Sequence, residues 1–343
     1  MNELLYWLAL FATMTASAWL LTAGVRRYAL SRNVVDVPNA RSSHVRPTPR
    51  AGGISFVLAY LAGVAWLAQA GAISLAIACA SAVAGAWIAA IGWLDDHGHV
   101  PARWRLLAHM LGAAWVVYWL GLPSLRAALP EGVPVWATAM LAGVFLTWLV
   151  NLYNFMDGID GPASMEAISV GAAGAWLSWQ AGAHDAAVLA ALLAFAVLGF
   201  LPWNFPRARI FMGDDGSGFL GLVLGGLCLQ AGAVAMPLFW AWVILLGVFV
   251  VDASYTLMRR LVRREAVHQA HRTHGYQYAS RRWSSHSKVT MGAVAINLFW
   301  LLPWAAAVAA GNIGALAGTA AAYAPLLLLA WYLKAGQPEP RTA

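Results

Sequence analysis

Apolar runs of roughly 17–25 residues, each the length a helix needs to cross a bilayer, recur from one end of this chain to the other. Inside hydrocarbon a backbone amide has no water to bond, so each run must satisfy its own hydrogen bonds as a helix. Candidate helices fall near 4–25, 52–70, 72–93, 105–122, 135–155, 163–181, 185–203, 217–236, 238–258, 290–310 and 313–334. The splits at 70–72, 181–185 and 236–238 rest only on short Gly, Pro or His-Asp signals. Composition agrees, with 61% hydrophobic and 10% charged residues against about a quarter charged in soluble domains. The expected fold is all-α, a polytopic integral membrane protein of about 11 transmembrane helices, with residues 1–343 forming one domain that ends in a short disordered tail at 335–343. No basic residue precedes the first run, and Arg26 and Arg27 follow it, which favours a retained span over a cleaved leader. Cys79 and Cys228 lie within apolar runs without CxxC spacing and read as small buried hydrophobes.

Every second connection is basic. Of the 21 lysines and arginines only Arg126 falls on the other side, where it joins Glu131, Asp185 and His184. Positive charge collects on the cytoplasmic face, so the expected N-terminus is periplasmic and the C-terminus cytoplasmic. Asp36, Asp95, Asp96, Asp157, Asp160, Asp214, Asp215, Asp252 and Glu265 fall on that same basic side or at its helix ends, with no acid expected at mid-bilayer. A carrier keeps ionisable groups near the midplane, so this distribution points to chemistry at one membrane surface.

Four polar stretches on that side carry the chemistry. In NLYNFMDGIDG, Asn151, Asn154 and Asp157 recur every three residues along one side of a helical end and Asp160 follows, while Gly158 and Gly161 admit close approach to a phosphate or a metal. A plain helix C-terminus followed by an Asp/Gly turn would read the same way. DVPNARSSHVRPTPRAGG, with Arg50 before its Gly-Gly, suits an anionic headgroup or a nucleotide diphosphate, or simple contact with anionic lipid. Asp95 and Asp96 are adjacent carboxylates at the lipid edge and call for a divalent cation or a bound proton, unless they merely face water. Arg105 opens the next helix and brings positive charge back towards them.

Asp214 and Asp215 sit between glycines ahead of a helix expected near Ser217, and capping explains one of them but not both. Clusters of Asp interleaved with Arg and Gly fit an oxygen-ligand magnesium site that holds phosphate oxygens. In the last cytoplasmic loop His268, His271 and His274 recur at three-residue spacing among arginines that would repel zinc. Phosphate or sugar contact suits that loop, as does a basic amphipathic helix on anionic lipid.

Taken together, PTPRAGG (47–53), DD (95–96), NLYNFMDGIDG (151–161), NFPRARIFMGDDGS (204–217) and AHRTHGYQ (270–277) resemble the motifs of the polyprenyl-phosphate N-acetylhexosamine-1-phosphate transferase family, in its order and at its helix ends. The resemblance implies a bacterial inner-membrane enzyme that moves a sugar 1-phosphate from a UDP-N-acetylamino sugar to undecaprenyl phosphate and releases UMP. It implies Mg2+, with Mn2+ as a substitute; it implies no nucleic acid partner and admits a homodimer within the lipid bilayer. Carried over by motif, Asp214 is the principal metal ligand with Asp96 beside it, and Asp95 and Asp96 are the catalytic carboxylate pair. Arg105, Asp157, Asp160, His271 and His274 join the catalytic groups, and Asn151, Asn154, Asn204, Phe211 and Arg50 the nucleotide and phosphate contacts.

Two positions depart from the family pattern. Thr273 replaces the middle histidine of His-x-His-His, and Arg105 stands where many members have lysine, offering phosphate a planar fork instead of a point charge. The HRTHGYQ form resembles the branch that starts O-antigen or other surface-polysaccharide synthesis more than the phospho-muramoyl-pentapeptide branch. It leaves the donor open among N-acetylglucosamine, N-acetylgalactosamine and the N-acetyl-6-deoxyhexosamines. The expected reaction is attack by a lipid phosphate oxygen on the β-phosphorus, directly or through an aspartyl intermediate, with Asp96 as base or phosphate-positioning group. The rival readings are a cation- or proton-coupled carrier or flippase of lipid-linked saccharides, and a scaffold recruiting soluble glycosyltransferases.

Overall fold

A computed structural model describes residues 3–38, 43, 46–122, 125–126, 129–130, 132–265 and 271–338; His268 and the tail beyond 338 lie outside them. The first half is built from α1 (Glu3–Ser31), α2 (Ile54–Gln69), α3 (Leu75–His97), α4 (Ala102–Leu120), α5 (Val135–Met156), α6 (Pro162–Gln180) and α7 (His184–Asn204). The second half holds α8 (Asp214–Val234), α9 (Met236–Leu245), α10 (Gly247–Val262), α11 (Gly275–Arg282), α12 (His286–Ile296), a π-helical turn (Asn297–Leu301), α13 (Leu302–Ala309) and α14 (Ala315–Tyr332).

All eleven expected apolar stretches are helical. Among the described residues seven helical stretches are long and apolar enough to cross a membrane, and an eighth if α9 and α10 count as one. α2 has only 16 residues, while α4 carries Arg103 and Arg105 and α6 carries Glu166. The run read as one span at 238–258 is broken, because α9 and α10 meet at Leu246 with a bend of 70°.

α8 is the post around which the bundle is assembled. It touches α2, α3, α4, α5, α6, α7 and α9, and it is the most enclosed of the candidate spans, whereas α1 lies outermost. Phe219, Leu220, Leu224 and Cys228 on α8 are fully buried, in contact with an apolar core that includes Phe56, Tyr60, Leu149 and Phe200. The helix begins at Asp214, three residues before the expected start, because Gly213 at φ +86° turns the chain sharply into it.

Three features were not anticipated. The connection between α1 and α2 forms a two-residue antiparallel pair, β1 (Val35–Asp36) with β2 (Thr48–Pro49), in register Val35 with Pro49 and Asp36 with Thr48. The start of the tail is docked where disorder was expected: Gly336 N donates to Thr273 O at 2.7 Å, Arg259 Nη1 to Ala335 O at 3.1 Å and Arg263 Nη1 to Gly336 O at 3.2 Å. Arginines at the end of α10 thereby hold the carbonyls of the chain just past α14.

The third is a buried acid that the sequence reading does not place, Glu166, one turn into α6. Glu166 on α6 is 1% exposed and accepts from Asn297 Nδ2 at 2.6 Å, and Asn297 Nδ2 also donates to Ser169 Oγ at 2.8 Å. A buried carboxyl needs such partners to be tolerated in an apolar layer. They come from the π-helical turn.

Candidate active site

The polar helix ends meet at one end of the bundle, and side chains from one helix satisfy the open backbone groups of another. Arg50 Nη2 donates to the carbonyls of Asp95 and Asp96 at the end of α3, and Arg50 Nε lies 3.7 Å from Asp96 Oδ1. Asp96 Oδ2 accepts from Asp214 N at 3.0 Å and Asp215 N at 3.4 Å, capping α8. Asp215 Oδ2 in turn accepts from Ile54 N at 3.0 Å, capping α2. Anions belong at helix N-termini and a guanidinium at a C-terminus, so these contacts follow the helix dipoles.

That arrangement divides the two acid pairs. Asp96 and Asp215 turn inward, 4% and 0% exposed, and hold helix ends. Asp95 and Asp214 turn to the open side, where Arg105 Nη1 donates to Asp95 Oδ2 and, at 2.8 Å, to Asp214 Oδ2. Asp95 Oδ1 also accepts from Val100 N at 2.8 Å. The carboxyls of Asp95 and Asp214 are within hydrogen-bonding reach of each other, and Asn154 reaches Asp214. Asp95 is therefore the carboxylate that meets Asp214, where the motif had suggested Asp96.

The stretch 151–161 supplies the next wall. Asn151 Nδ2 donates back to Thr147 O at 2.7 Å, on its own helix. Asp157 follows the last turn of α5, and exclusion from water together with the negative neighbours Asp214, Asp96 and Asp160 pushes its carboxyl well above the usual range. Asp160 points elsewhere, its Oδ2 lying 3.2 Å from His286 Nδ1, while its backbone carbonyl accepts from Thr290 Oγ1 at 3.0 Å.

The histidine loop is tied to this wall by Tyr276, whose hydroxyl donates to Phe155 O and accepts from Gly158 N, both at 2.9 Å. His271 and His274 stack with centroids 4.9 Å apart, and His274 stacks in turn on Phe155 at 6.3 Å. Thr273, in the place of a third histidine, bonds His271 Nδ1 through its hydroxyl at 3.0 Å. Burial first, then the adjoining His274 ring and the Arg260 guanidinium, pushes the His271 imidazole down to about 3, so it is neutral at pH 7.

Beside these residues opens a cavity of about 980 Å³ lined by Arg46, Thr48, Asp160, Arg207, Phe211, Arg281 and His286 among others. Three guanidiniums around a space of that size suit a phosphorylated ligand. Of the expected nucleotide contacts only Phe211 lines it. Asn204 is 1% exposed, accepts from Ser164 Oγ at 3.0 Å and donates to Ile210 O at 3.3 Å, so it fixes the loop from which Arg207 and Phe211 reach the cavity. Arg207, Arg281, His286 and Tyr276 were not singled out from sequence. Arg281 and His286 lie within ten residues of Gln277, a signal that a wider window on the histidine motif would have caught.

The donor set can be tested for a divalent cation. Two carboxylates, Asp95 and Asp214, share a single cationic nitrogen, with Asn154 alongside, so the position already holds positive charge between oxygens. Among the described residues no three His, Cys, Asp or Glu side chains converge into a closed ligand set. Asp95 and Asp214 match in number what magnesium takes, one or two protein carboxylates with water and substrate oxygens completing its shell.

Residues 75–232 match the model of glycosyl transferase family 4. The chain is 30% identical over 234 residues to a decaprenyl-phosphate N-acetylglucosaminephosphotransferase of Mycolicibacterium smegmatis, covering 62% of this chain and 57% of that relative. It is 28% identical over 274 residues to a probable undecaprenyl-phosphate N-acetylglucosaminyl 1-phosphate transferase of Bacillus subtilis, covering 77% and 74%. It is 33% identical over 258 residues to a phospho-N-acetylmuramoyl-pentapeptide-transferase of Geobacillus kaustophilus, covering 67% and 76%. Against the mycobacterial relatives the chain thus spans little more than half their length. With its motifs gathered at one end of an all-helical membrane bundle, the chain belongs to glycosyl transferase family 4, the polyprenyl-phosphate N-acetylhexosamine-1-phosphate transferases.

Proposed function

We propose that this protein transfers an N-acetylhexosamine 1-phosphate from a UDP-sugar to undecaprenyl phosphate, releases UMP, and thereby starts a lipid-linked surface polysaccharide of the O-antigen type. The observation that carries the reading is the Asp95–Arg105–Asp214 cluster standing at apolar helix ends beside an arginine-lined cavity. A lipid phosphate anchored in the bilayer reaches helix ends; a water-soluble nucleotide sugar reaches the cavity. N-acetylglucosamine is the first donor to offer, since the curated relatives of Mycolicibacterium smegmatis and Bacillus subtilis carry it in their names.

An oxygen of the lipid phosphate attacks the β-phosphorus of the donor, the bond from that phosphorus to the bridging oxygen breaks, and the electron pair leaves with UMP. Magnesium, held by Asp214 and Asp95, would supply charge neutralisation on the diphosphate. Arg105 bridges the two carboxylates through one nitrogen and offers its remaining nitrogens to phosphate; Arg46, Arg207 and Arg281 offset charge on the nucleotide. Asp157 lies closest in sequence to the turn that meets the histidine loop, and His271, neutral, offers a sugar or phosphate hydrogen bonds without adding charge. Asp96 keeps α8 and α3 in place, so its part is positioning.

The test is UMP release by purified protein with Mg2+ and undecaprenyl phosphate, offered UDP-N-acetylglucosamine, UDP-N-acetylgalactosamine and UDP-N-acetyl-6-deoxyhexosamines in parallel. Lipid-dependent UMP from one donor is expected. Silence with every donor from folded protein would refute the reading and favour the carrier, for which Glu166 is the buried acid to examine.

A further inference from the structure

Asp252, midway along α10, belongs to none of the motifs that mark the site, yet its carboxylate is wholly committed to the histidine loop. Oδ1 accepts from His274 Nδ1 at 3.3 Å and from Gly275 N at 3.0 Å, and Oδ2 accepts from Tyr276 N at 2.9 Å. Thr256 Oγ1, one turn along α10, steadies Oδ1 at 3.2 Å. The two side chains are 13% and 3% exposed for Asp252 and His274, so water does not compete for these bonds. Gly275 and Tyr276 are the first residues of α11, whose N–H groups have no partner in their own helix.

The consequence for His274 is specific. A carboxylate on Nδ1 fixes the proton there and leaves Nε2 as the nitrogen that meets a ligand, while the rings of His271 and Phe155 hold the imidazole plane. The same anchor places Tyr276, whose hydroxyl joins the loop to Phe155 and Gly158. We propose that Asp252 is a positioning residue for the transfer reaction, acting through His274 by holding that ring in one tautomer and orientation towards the donor. This rests on the transferase reading above.

The experiment is a kinetic cycle of Asp252→Asn, His274→Ala and the double variant, read as UMP release. Asp252→Asn keeps the volume and loses an acceptor, and its kcat/KM should fall roughly 10–100-fold, as for other outer partners of a working histidine. The double variant should be no slower than His274→Ala alone, because the carboxylate has then nothing left to act through. Losses that multiply would overturn the proposal, since a merely structural role would add its own cost. Should Asp252→Asn not fold, Thr256→Val loosens the same carboxylate and is run through the same cycle with the same criterion. Hydrogen exchange at the Gly275 and Tyr276 amides is read in parallel. Faster exchange in Asp252→Asn is expected, and unchanged protection would overturn the anchoring even if wild-type protein released no UMP, an outcome that sinks the transferase reading separately.

Discussion

Gly92 on α3 lies one helical turn before Asp96 and packs directly on the start of α8. A Cβ there would stand 2.5 Å from the carbonyl oxygen of Asp214 and closer still to Asp214 C and Asp215 N. These are backbone atoms, which cannot rotate away, and the gap is about 1 Å short of ordinary contact. Gly92→Ala must therefore move the N-terminus of α8 relative to α3 by a comparable distance. Overpacking of this kind costs about 1–3 kcal/mol of stability. The greater effect falls on Asp214, because a misplacement of about 1 Å in a reacting constellation costs on the order of 10²-fold, or ~2.7 kcal/mol of barrier. The assay is UMP release under saturating donor, with thermal unfolding in detergent to confirm that the variant is folded. Gly143→Ala on α5 is the control: a Cβ there meets nothing within 4 Å, so activity should persist and the helix gain up to about 1 kcal/mol. Turnover of Gly92→Ala within about threefold of wild type would refute the claim that the α3–α8 contact sets the geometry of the site.

Asp214→Ala should abolish turnover while the protein remains inserted and folded, and retained activity at saturating Mg2+ would contradict the metal assignment. Arg105→Lys keeps a cation between Asp95 and Asp214, since one guanidinium nitrogen serves both, but loses the fork; the donor KM should rise about tenfold with a smaller change in kcat. His271 is depressed to about 3 in the fold from about 6.5 unfolded, so the unfolded chain takes up the proton first and stability falls as pH drops below about 6.5. Melting temperatures of wild type between pH 7.5 and pH 5 should accordingly fall more steeply than those of His271→Gln, and parallel curves would count against a buried neutral imidazole. Glu166→Ala leaves one Asn297 Nδ2 hydrogen without an acceptor inside the bundle, the other still bonding Ser169 Oγ, and should cost about 1–3 kcal/mol more than Glu166→Gln in thermal unfolding.

The apolar rhythm made the helices legible, and the runs of Asp, Asn and His made the helix ends legible. What the sequence could not say is which member of an adjacent pair faces which way. Asp95 and Asp96 differ by about 100° around α3, and only the approach of α8 decides that Asp96 caps its N-terminus while Asp95 meets Arg105. The bend at Leu246 carries no proline, and the short β1–β2 pair is fixed by partners fourteen and twelve residues apart in a loop rich in arginine. Asn204 is expected as a nucleotide contact from the family motif, and in the fold it is a buried residue that ties a loop to α6. Asp252 was placed only as one of the acids on the basic side and Glu166 was not singled out, because their partners lie 22 and 131 residues away in sequence, beyond the reach of any local pattern.

The enclosure of α8 has a mechanical consequence. A helix gripped by seven neighbours has nowhere to go, so Asp214 is mounted on the stillest part of the molecule, and Asp96 and Asp215 bolt α3 and α2 to the same mount. The rim is tied to that mount in turn: Asn204 fixes the 204–213 connection carrying Arg207 and Phe211, and Asp252 holds the start of the short α11 with Arg281. Under the proposed reaction, the arginines that meet the nucleotide and the carboxylates that face the phosphorus keep fixed distances from one another, and a lipid acceptor, confined to two dimensions, meets the same target at every turnover.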